Sequence, residues 1–252
     1  MSEQNPFIVG PSNSSGAAGP QPEGKSVDAG RPVEWLKGGW ELFLKNPGLW
    51  VGLGLVTMVC FAVLNMVPII GHLALIFLMP IVSAGLLIGC KSLRDGGELR
   101  FDHLFAGFKQ NTSNLIMIGV LSLTGFVVIW VVTLLIGGGA ALTAGLMGNL
   151  SGIGTAIGGL MLALLVMLAL SVPLSMALWF APALVVFRNV AALEAMKLSF
   201  NVCLRNILPF LVYSVIVVVL SVVASLPLAL GWLLLLPVLI GTHFTSYVDL
   251  FE

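Results

Sequence analysis

Six long apolar segments dominate the pattern of hydrophobic and polar positions along the chain. Each is long enough for a helix, rising 1.5 Å per residue, to cross the ~30 Å hydrocarbon layer of a membrane. We predict membrane-spanning helices near residues 47–67, 69–90, 114–136, 157–187, 207–226 and 229–248. The fourth segment is too long for one straight span, so either Pro173 and Pro182 kink it or its start lies outside the bilayer. Turn sequences after Pro68 and between Pro227 and Gly231 predict that the spans pair as hairpins.

Residues 1–30 have a different composition from the rest of the chain. They are rich in Gly, Pro and Ser and lack an apolar period, so they bury too little surface to offset the entropy of ordering. No basic region followed by an apolar one is present, so the segment is not typical of a signal peptide. We predict a disordered tail over 1–30 and a six-span transmembrane domain over 31–252.

A short amphipathic segment precedes the first, third and fifth spans. In each segment, apolar residues recur at steps of three and four, which places them on one face of a helix. The pattern is typical of a helix lying in the membrane interface, and its recurrence indicates one structural unit used three times. We therefore predict an all-α membrane protein of three hairpins, each preceded by an interfacial helix. The predicted interfacial anchors are Trp40, Phe43, Phe105, Phe108 and Phe200.

An asparagine ends each amphipathic segment, and we predict that these asparagines cap the helices that follow. Asn46 precedes Pro47, which fits an N-cap followed by proline at the first helical position. Asn206 stands before the fifth span, and Asn111 or Asn114 can serve the third.

Charge is confined to a few regions of the chain. All 11 Lys and Arg residues fall before the first span or within 91–109 and 188–205, whereas the connections at 68–71, 137–156 and 227–231 are uncharged. By the positive-inside rule, the charged regions and both chain termini are predicted to be cytoplasmic.

Composition excludes several classes of protein. The chain is 58% apolar and 9% charged, whereas soluble domains carry about 25% charged residues. With 11 basic and 11 acidic residues, it has no surplus of positive charge with which to bind nucleic acid. Three cysteines in 252 residues exclude a disulfide scaffold.

Glycines crowd the segment 137–160, for which helix, external loop and re-entrant element all stay open. Gly154 and Gly158 have the GxxxG spacing that lets membrane helices approach closely, as do Gly85 and Gly89, so a homo-oligomer is a candidate state. No Gly-Lys-Ser/Thr follows these glycines, so the segment is not a phosphate-binding loop.

None of the six predicted spans contains Asp, Glu, Lys or Arg. Such residues are costly in a bilayer and usually mark ion or proton pathways, so their absence argues against a proton-coupled pump. The polar residues of the last span form one candidate substrate site, although their hydroxyls can also bond to backbone carbonyls. This candidate site comprises Thr242, His243, Ser246 and Tyr247. We predict no catalytic residue, cofactor or metal site.

Several motifs together resemble an uncharacterised family of bacterial inner-membrane proteins of unknown function. They are GWELFLKNPGLW, LMPIVSAGL, LFAGF, WFAPALVVF, AMKLSF, LPFLVY and the C-terminal YVDLF. The resemblance covers about residues 31–252 and implies six spans in the bacterial inner membrane, with no known catalytic residue. The hairpin plan is also similar to YciC-like proteins and to the membrane domain found beside glycerophosphodiester phosphodiesterases.

Two functions follow from these observations. The first is a non-enzymatic membrane protein that contacts lipids and acts through a cytoplasmic protein partner, as a scaffold, assembly or envelope-homeostasis factor. The alternative is a transporter or flippase of a hydrophobic or amphipathic small molecule or lipid. An enzyme acting on lipid is disfavoured, because the only neighbouring acid and base are Asp102 and His103, and adjacent helical residues do not face each other.

Overall fold

The computed structural model describes residues 24–147, 150–226 and 230–252, and these ranges are helical without strands. A 3-10 helix, Phe101–Phe108, lies between α3 and α4. The α-helices of the described ranges are α1 (Arg31–Lys45), α2 (Pro47–Asn65), α3 (Ile70–Arg94), α4 (Thr112–Met147), α5 (Leu150–Trp179), α6 (Ala181–Arg188), α7 (Ala192–Arg205), α8 (Ile207–Ser225) and α9 (Trp232–Phe251).

Within the described ranges, six helical stretches are long and apolar enough to cross a membrane, which confirms the six-span prediction. They are α2, α3, α4, the pair α5–α6, α8 and α9. The fourth stretch continues through Pro173 and breaks at Phe180, one residue before α6 begins at Ala181. Pro182 occupies the first turn of α6, where a missing N–H costs no helical hydrogen bond.

The described part of the glycine-rich segment 137–160 is helical. Helix α4 continues to Met147 and α5 begins at Leu150, well beyond the predicted span limits of 136 and 157. In lipid, the hydrogen bonds of a helix satisfy the backbone peptide groups. Glycine is also more frequent in membrane helices than in soluble ones. At 36 residues, α4 is about 54 Å long, far more than the ~30 Å hydrocarbon layer.

The three helices formed by the amphipathic segments, α1, the 3-10 helix and α7, each pack mainly against one long helix. Helix α1 packs against α9, the 3-10 helix against α3, and α7 against α5. Where α7 packs against α5, the Ser199 hydroxyl donates to the Met176 carbonyl at 2.6 Å and accepts from the Phe180 N–H at 2.9 Å. Because α1 contacts α9, the first and last helices of the described chain close the arrangement into a ring.

Helices α3 and α9 are the most buried of the long helices, whereas α2, α5 and α8 expose most of their apolar side chains. The largest fully buried side chains include Trp35, Trp50, Phe180, Phe244 and Tyr247. The core therefore lies around α3, α9 and the short helices, and the outer spans present an apolar surface suited to lipid.

The segment before α1 is attached to the helices rather than free. The Lys25 N–H donates to the Leu250 carbonyl at 2.8 Å. The Asn206 side chain accepts from the Val27 N–H at 2.8 Å and donates to the Lys25 carbonyl at 2.9 Å. The tail predicted over 1–30 is therefore wrong for residues 24–30, and the rest of it, 1–23, lies outside the described residues.

Charged side chains of the described ranges gather at one end of the bundle, which we call the charged end. It is formed by residues 25–45, 91–109, 188–205 and 249–252. Contacts join these regions, among them the ion pair between Arg94 and Glu252 at 2.6 Å. The same end therefore carries both ends of the transmembrane domain.

Candidate functional site

The predicted polar site on α9 does not surround a common space. Thr242 faces α1, where a Cβ added at Gly39 would meet its hydroxyl, and that hydroxyl donates to the Val238 carbonyl at 2.8 Å. The Ser246 hydroxyl donates to the His243 carbonyl at 2.8 Å. Both hydroxyls are thus satisfied within their own helix, the structural alternative open from the sequence.

His243 and Tyr247 lie instead in a cluster of aromatic rings contributed by α5, α6, α8 and α9. The ring centroid of His243 is 5.1 Å from that of Trp179 and 5.6 Å from that of Phe180. Tyr247 stacks on Phe251 with centroids 5.3 Å apart. Nε2 of His243 and Nε1 of Trp179 are buried without a hydrogen-bond partner among the described residues. His243 and Tyr247 share the face that meets the aromatic cluster, whereas Thr242 faces α1, so the four side chains do not line one site.

At the charged end, Asp249 connects α9 to α1. Its carboxylate accepts from Arg31 Nε at 2.9 Å and from Trp35 Nε1 at 2.7 Å. Hydrogen bonding to Asp249 raises the pKa of Arg31, which also pairs with Glu34. A carboxylate in the last turn of a helix is disfavoured by the helix dipole, so a cationic partner offsets that cost.

Arg94, in the last turn of α3, joins the same region from the other side. It pairs with Glu252, and its guanidinium carbon lies 5.2 Å from the centre of the Phe244 ring. Lys45, at the end of α1, donates to the Leu93 carbonyl at 2.6 Å. The C-terminal ends of α1, α3 and α9 are therefore held together by charged side chains.

A cavity of about 400 Å³, which we call the charged pocket, opens between α1, α9 and the end of α3. Arg31 pairs there with both Glu34 and Asp249, whereas no described residue pairs with Glu41. The pocket offers both charges to a polar ligand at the membrane surface. Its charged lining residues are Arg31, Glu34, Glu41, Lys45, Arg94 and Asp249.

A second cavity of about 530 Å³, which we call the apolar slot, lies on another face of α1. It separates α8 from α9, which come together at Ala224 and Gly231. Near the charged end, α8 instead contacts α1, where Trp35 meets Phe210 and Tyr213 with ring centroids 5.6 and 6.4 Å apart. The apolar slot is lined by Val33, Leu36, Lys37, Trp40, Leu220, Val223, Ala224, Gly231, Leu234, Leu235 and Val238.

The predicted interfacial anchors have different environments. Trp40, Phe105 and Phe108 are exposed, Phe200 is half-buried, and Phe43 is buried in the core. The anchor prediction is therefore wrong for Phe43, because α1 turns Leu42 and Phe43 inward. The second amphipathic segment is a 3-10 helix rather than an α-helix.

The predicted caps also differ. The Asn46 side chain accepts from the Leu49 N–H at 3.3 Å, as an N-cap does. Asn206 does not cap α8 with its side chain, which binds the segment before α1. The Asn111 amide donates to the Val185 carbonyl at 2.9 Å, and the Asn114 side chain accepts from the Ala192 N–H at 3.3 Å. The capping predictions for Asn111 and Asn206 are wrong because these amides join separate parts of the chain.

Asp102 and His103 have separate partners. Nδ1 of His103 accepts from the Arg100 N–H at 3.0 Å, and Asp102 pairs with the Arg100 guanidinium at 3.4 Å. Burial lowers the pKa of His103, and the nearby Arg100 lowers it further.

In the described ranges, no three His, Cys, Asp or Glu side chains are grouped to hold a metal ion. Burial raises the pKa of the Cys203 thiol to about 12, so it is not a reactive thiolate at neutral pH.

Residue spacing along the chain does not predict the charged pocket. One available signal was Asp249, an acidic residue in the last turn of an otherwise apolar helix, where its charge requires a partner. The partner, Arg31, lies 218 positions away. That separation is why residue spacing did not identify it.

Comparison with known proteins gives one informative relative. The chain is 28% identical over 211 residues to a protein of Burkholderia thailandensis described as a probable inner membrane protein, covering 81% of this chain and 78% of the relative. No family model matches, and no solved structure matches. The relative and the six spans support an integral membrane protein akin to inner-membrane proteins. The similarity to YciC-like proteins and to phosphodiesterase membrane domains stays a prediction.

Proposed function

We propose that this protein is a non-enzymatic component of the bacterial inner membrane that acts through a protein partner bound at its charged end. The observation that carries the proposal is the charged pocket, where both signs of charge line a cavity between α1, α9 and the end of α3. Opposite charges arranged on one surface give orientation and specificity to a protein contact. The rest of the described surface is mostly apolar and suits contact with lipid.

The pocket leaves some charge available to a partner. Glu41 has no described pairing residue, and the side chain of Lys45 contacts only a backbone carbonyl among the described residues. Arg31 and Asp249, in contrast, hold α1 on α9. We expect Glu41 and Lys45 to bind the partner, and the Arg31–Asp249 pair to form the wall of the pocket.

We further propose that the charged end, and with it both termini, faces the cytoplasm. The positive-inside rule supports this orientation, since all 11 Lys and Arg lie in the segments that form this end. In a variant lacking Cys60, cysteines placed at Asn65 and at Lys109 should react with impermeant reagents from opposite sides of the membrane. Reaction from the same side would contradict the six-span orientation.

Site-specific photo-crosslinking in native membranes tests the partner proposal. A photoreactive residue at Glu41 should give one discrete adduct, identified by mass spectrometry, and Lys45→Glu should abolish that adduct. A photoreactive residue at Asn65, equally exposed at the opposite end, is the matched control and should give none. Equal adducts at both positions, or adducts only at Asn65, would refute a partner site at the charged end.

The alternative function is a transporter or flippase of a hydrophobic or amphipathic molecule, and the apolar slot is the observation that favours it. The slot is open to lipid but ends where Ala224 meets Gly231. Buried hydroxyls in the described spans, such as those of Ser122 and Thr242, bond to their own helices. Movement of a fluorescent lipid between leaflets of proteoliposomes, faster than in protein-free vesicles, would support this alternative over the partner proposal.

A further inference from the structure

The apolar slot has two walls that diverge from a closed floor. At the floor, a Cβ added at Gly231 would lie 2.6 Å from the Ala224 backbone, so α8 and α9 touch there. Along α9, the slot extends from Gly231 to Val238, about 10 Å at 1.5 Å per residue. The opposite boundary is α1, whose Gly39 lies against Val238. The slot is thus a closed-ended groove with its entrance beside α1.

The length of the slot suits part of one acyl chain. Its α9 wall is about 10 Å long, so a chain whose head group lies at the α1 entrance runs along this wall toward the floor. The walls are Leu and Val side chains, which offer an acyl chain dispersion contacts and no competing polar group. These walls are Leu220, Val223, Leu234, Leu235 and Val238.

The entrance carries the features that a phospholipid head group requires. Lys37 is exposed there, and no described residue forms an ion pair with it. Trp40, one turn away along α1, is 42% exposed and belongs to the residue type enriched at head-group depth. A positively charged ammonium beside an apolar groove is complementary to an amphipathic anion.

We propose that the apolar slot binds one phospholipid, with an acyl chain between α8 and α9 and its phosphate on Lys37. The acyl chain fills the space that α1 leaves between the two helices and so fixes their separation. This site is distinct from the charged pocket, which lies on another face of α1.

Native mass spectrometry of the full-length protein in detergent tests the proposal. After delipidation, the protein is titrated with palmitoyl-oleoyl phosphatidylglycerol, and the fraction carrying one lipid is measured. Val33→Trp fills the slot and should weaken this first binding at least tenfold, since bulk in a packed site is strongly unfavourable. Leu44→Trp is the matched control, because Leu44 is on the same helix, is similarly exposed and lines neither cavity.

Removal of the charge tests the second half of the proposal. Lys37→Gln should weaken the first binding about tenfold, whereas Lys109→Gln, at an exposed lysine elsewhere on the charged end, should leave it unchanged. Equal binding by Lys37→Gln and wild type would refute the phosphate contact, and equal binding by Val33→Trp and Leu44→Trp would refute the slot. If Val33→Trp does not fold, Leu234→Trp fills the slot from the α9 wall and is judged by the same comparison. Lipid binding is measured without a protein partner, so this proposal and the partner proposal fail independently.

Discussion

Gly39 of α1 and Gly241 of α9 bring the backbones of the first and last helices into direct contact. A Cβ added at Gly241 would lie 2.8 Å from both the Cα and the carbonyl oxygen of Gly39. Only glycine at both positions allows this approach, which resembles the small-residue packing of membrane helices. The contact holds α1 between the charged pocket and the apolar slot, so it positions both sites.

Replacing Gly241 by alanine should therefore destabilise the protein. The added methyl group meets backbone rather than a flexible side chain, and overpacking of this kind costs about 1–3 kcal/mol. Thermal unfolding in detergent measures the effect. Gly138→Ala is the control, because a Cβ there meets open space and alanine is the better helix former. An equal response of the two variants would mean that the α1–α9 contact is not close in solution.

The pair formed by Arg31 and Asp249 should couple the segment before α2 to the last helix. A double-mutant cycle with Arg31→Gln and Asp249→Asn should give a coupling free energy of about 1 kcal/mol, near the upper end for partly exposed pairs. The exposed pair of Lys197 with Glu194 is the comparison, and its coupling should be close to zero. Unfolding free energies in mixed micelles provide the measurement. Equal couplings would show that the pair is not needed to hold α1.

His243 should tolerate an aromatic replacement if it serves only packing. Its Nε2 is buried without a described partner, so His243→Phe removes an unsatisfied group while keeping the ring in the cluster. We expect the unfolding temperature to stay the same or rise in His243→Phe, and to fall in His243→Ala through loss of packing. A fall in the unfolding temperature of His243→Phe as large as that of His243→Ala would contradict a role in packing alone.

The local stability of the 3-10 helix should depend on pH through His103. Its folded pKa is lowered, so its neutral form is favoured by folding, and only unprotonated Nδ1 accepts the Arg100 N–H. Above about pH 6.5, the pKa of His103 in the unfolded chain, neutral His103 contributes its full stabilisation. As the pH falls from there through the lower pKa of the folded state, that stabilisation is lost. Hydrogen exchange of residues 101–108 between pH 8 and pH 5 should show this loss. His103→Gln, which cannot titrate, should remove the pH dependence, and an unchanged profile would contradict the assignment.

Self-association should depend on the glycine face of α5. A Cβ at Gly154 or Gly158 meets open space within the chain, so their GxxxG spacing is free to contact a second copy. Gly154→Leu with Gly158→Leu should lower dimer formation measured by energy transfer between labelled chains in bilayers. Gly48→Leu, also in open space but outside this face, should not. If all of these chains associate equally, the glycine face of α5 is not the interface between copies.

The six spans were predictable because lipid imposes their length and apolarity on the sequence itself. The ends of α4 and α5 were not, because the glycine pattern of 137–160 is compatible with a helix, a loop or a re-entrant element. The roles of individual side chains were harder to predict from the sequence than the helix ends. The amide of Asn206 is beside a helix start, yet it binds the chain near Val27, 179 positions away. Phe43 and Trp40 share one helical stripe, yet the packing of α1 in the folded protein buries only Phe43.

The ring of helices also has a consequence for biosynthesis. Helix α1 is synthesised before its native neighbour α9, because the other five spans lie between them in the chain. Until α9 is synthesised, the inward side of α1, with Trp35, Gly39 and Leu42, lacks its permanent contact. The nascent chain must therefore keep this helix at the membrane surface, or shield it, through the insertion of five spans. Completion of the final span is then the step that converts an open intermediate into a closed protein.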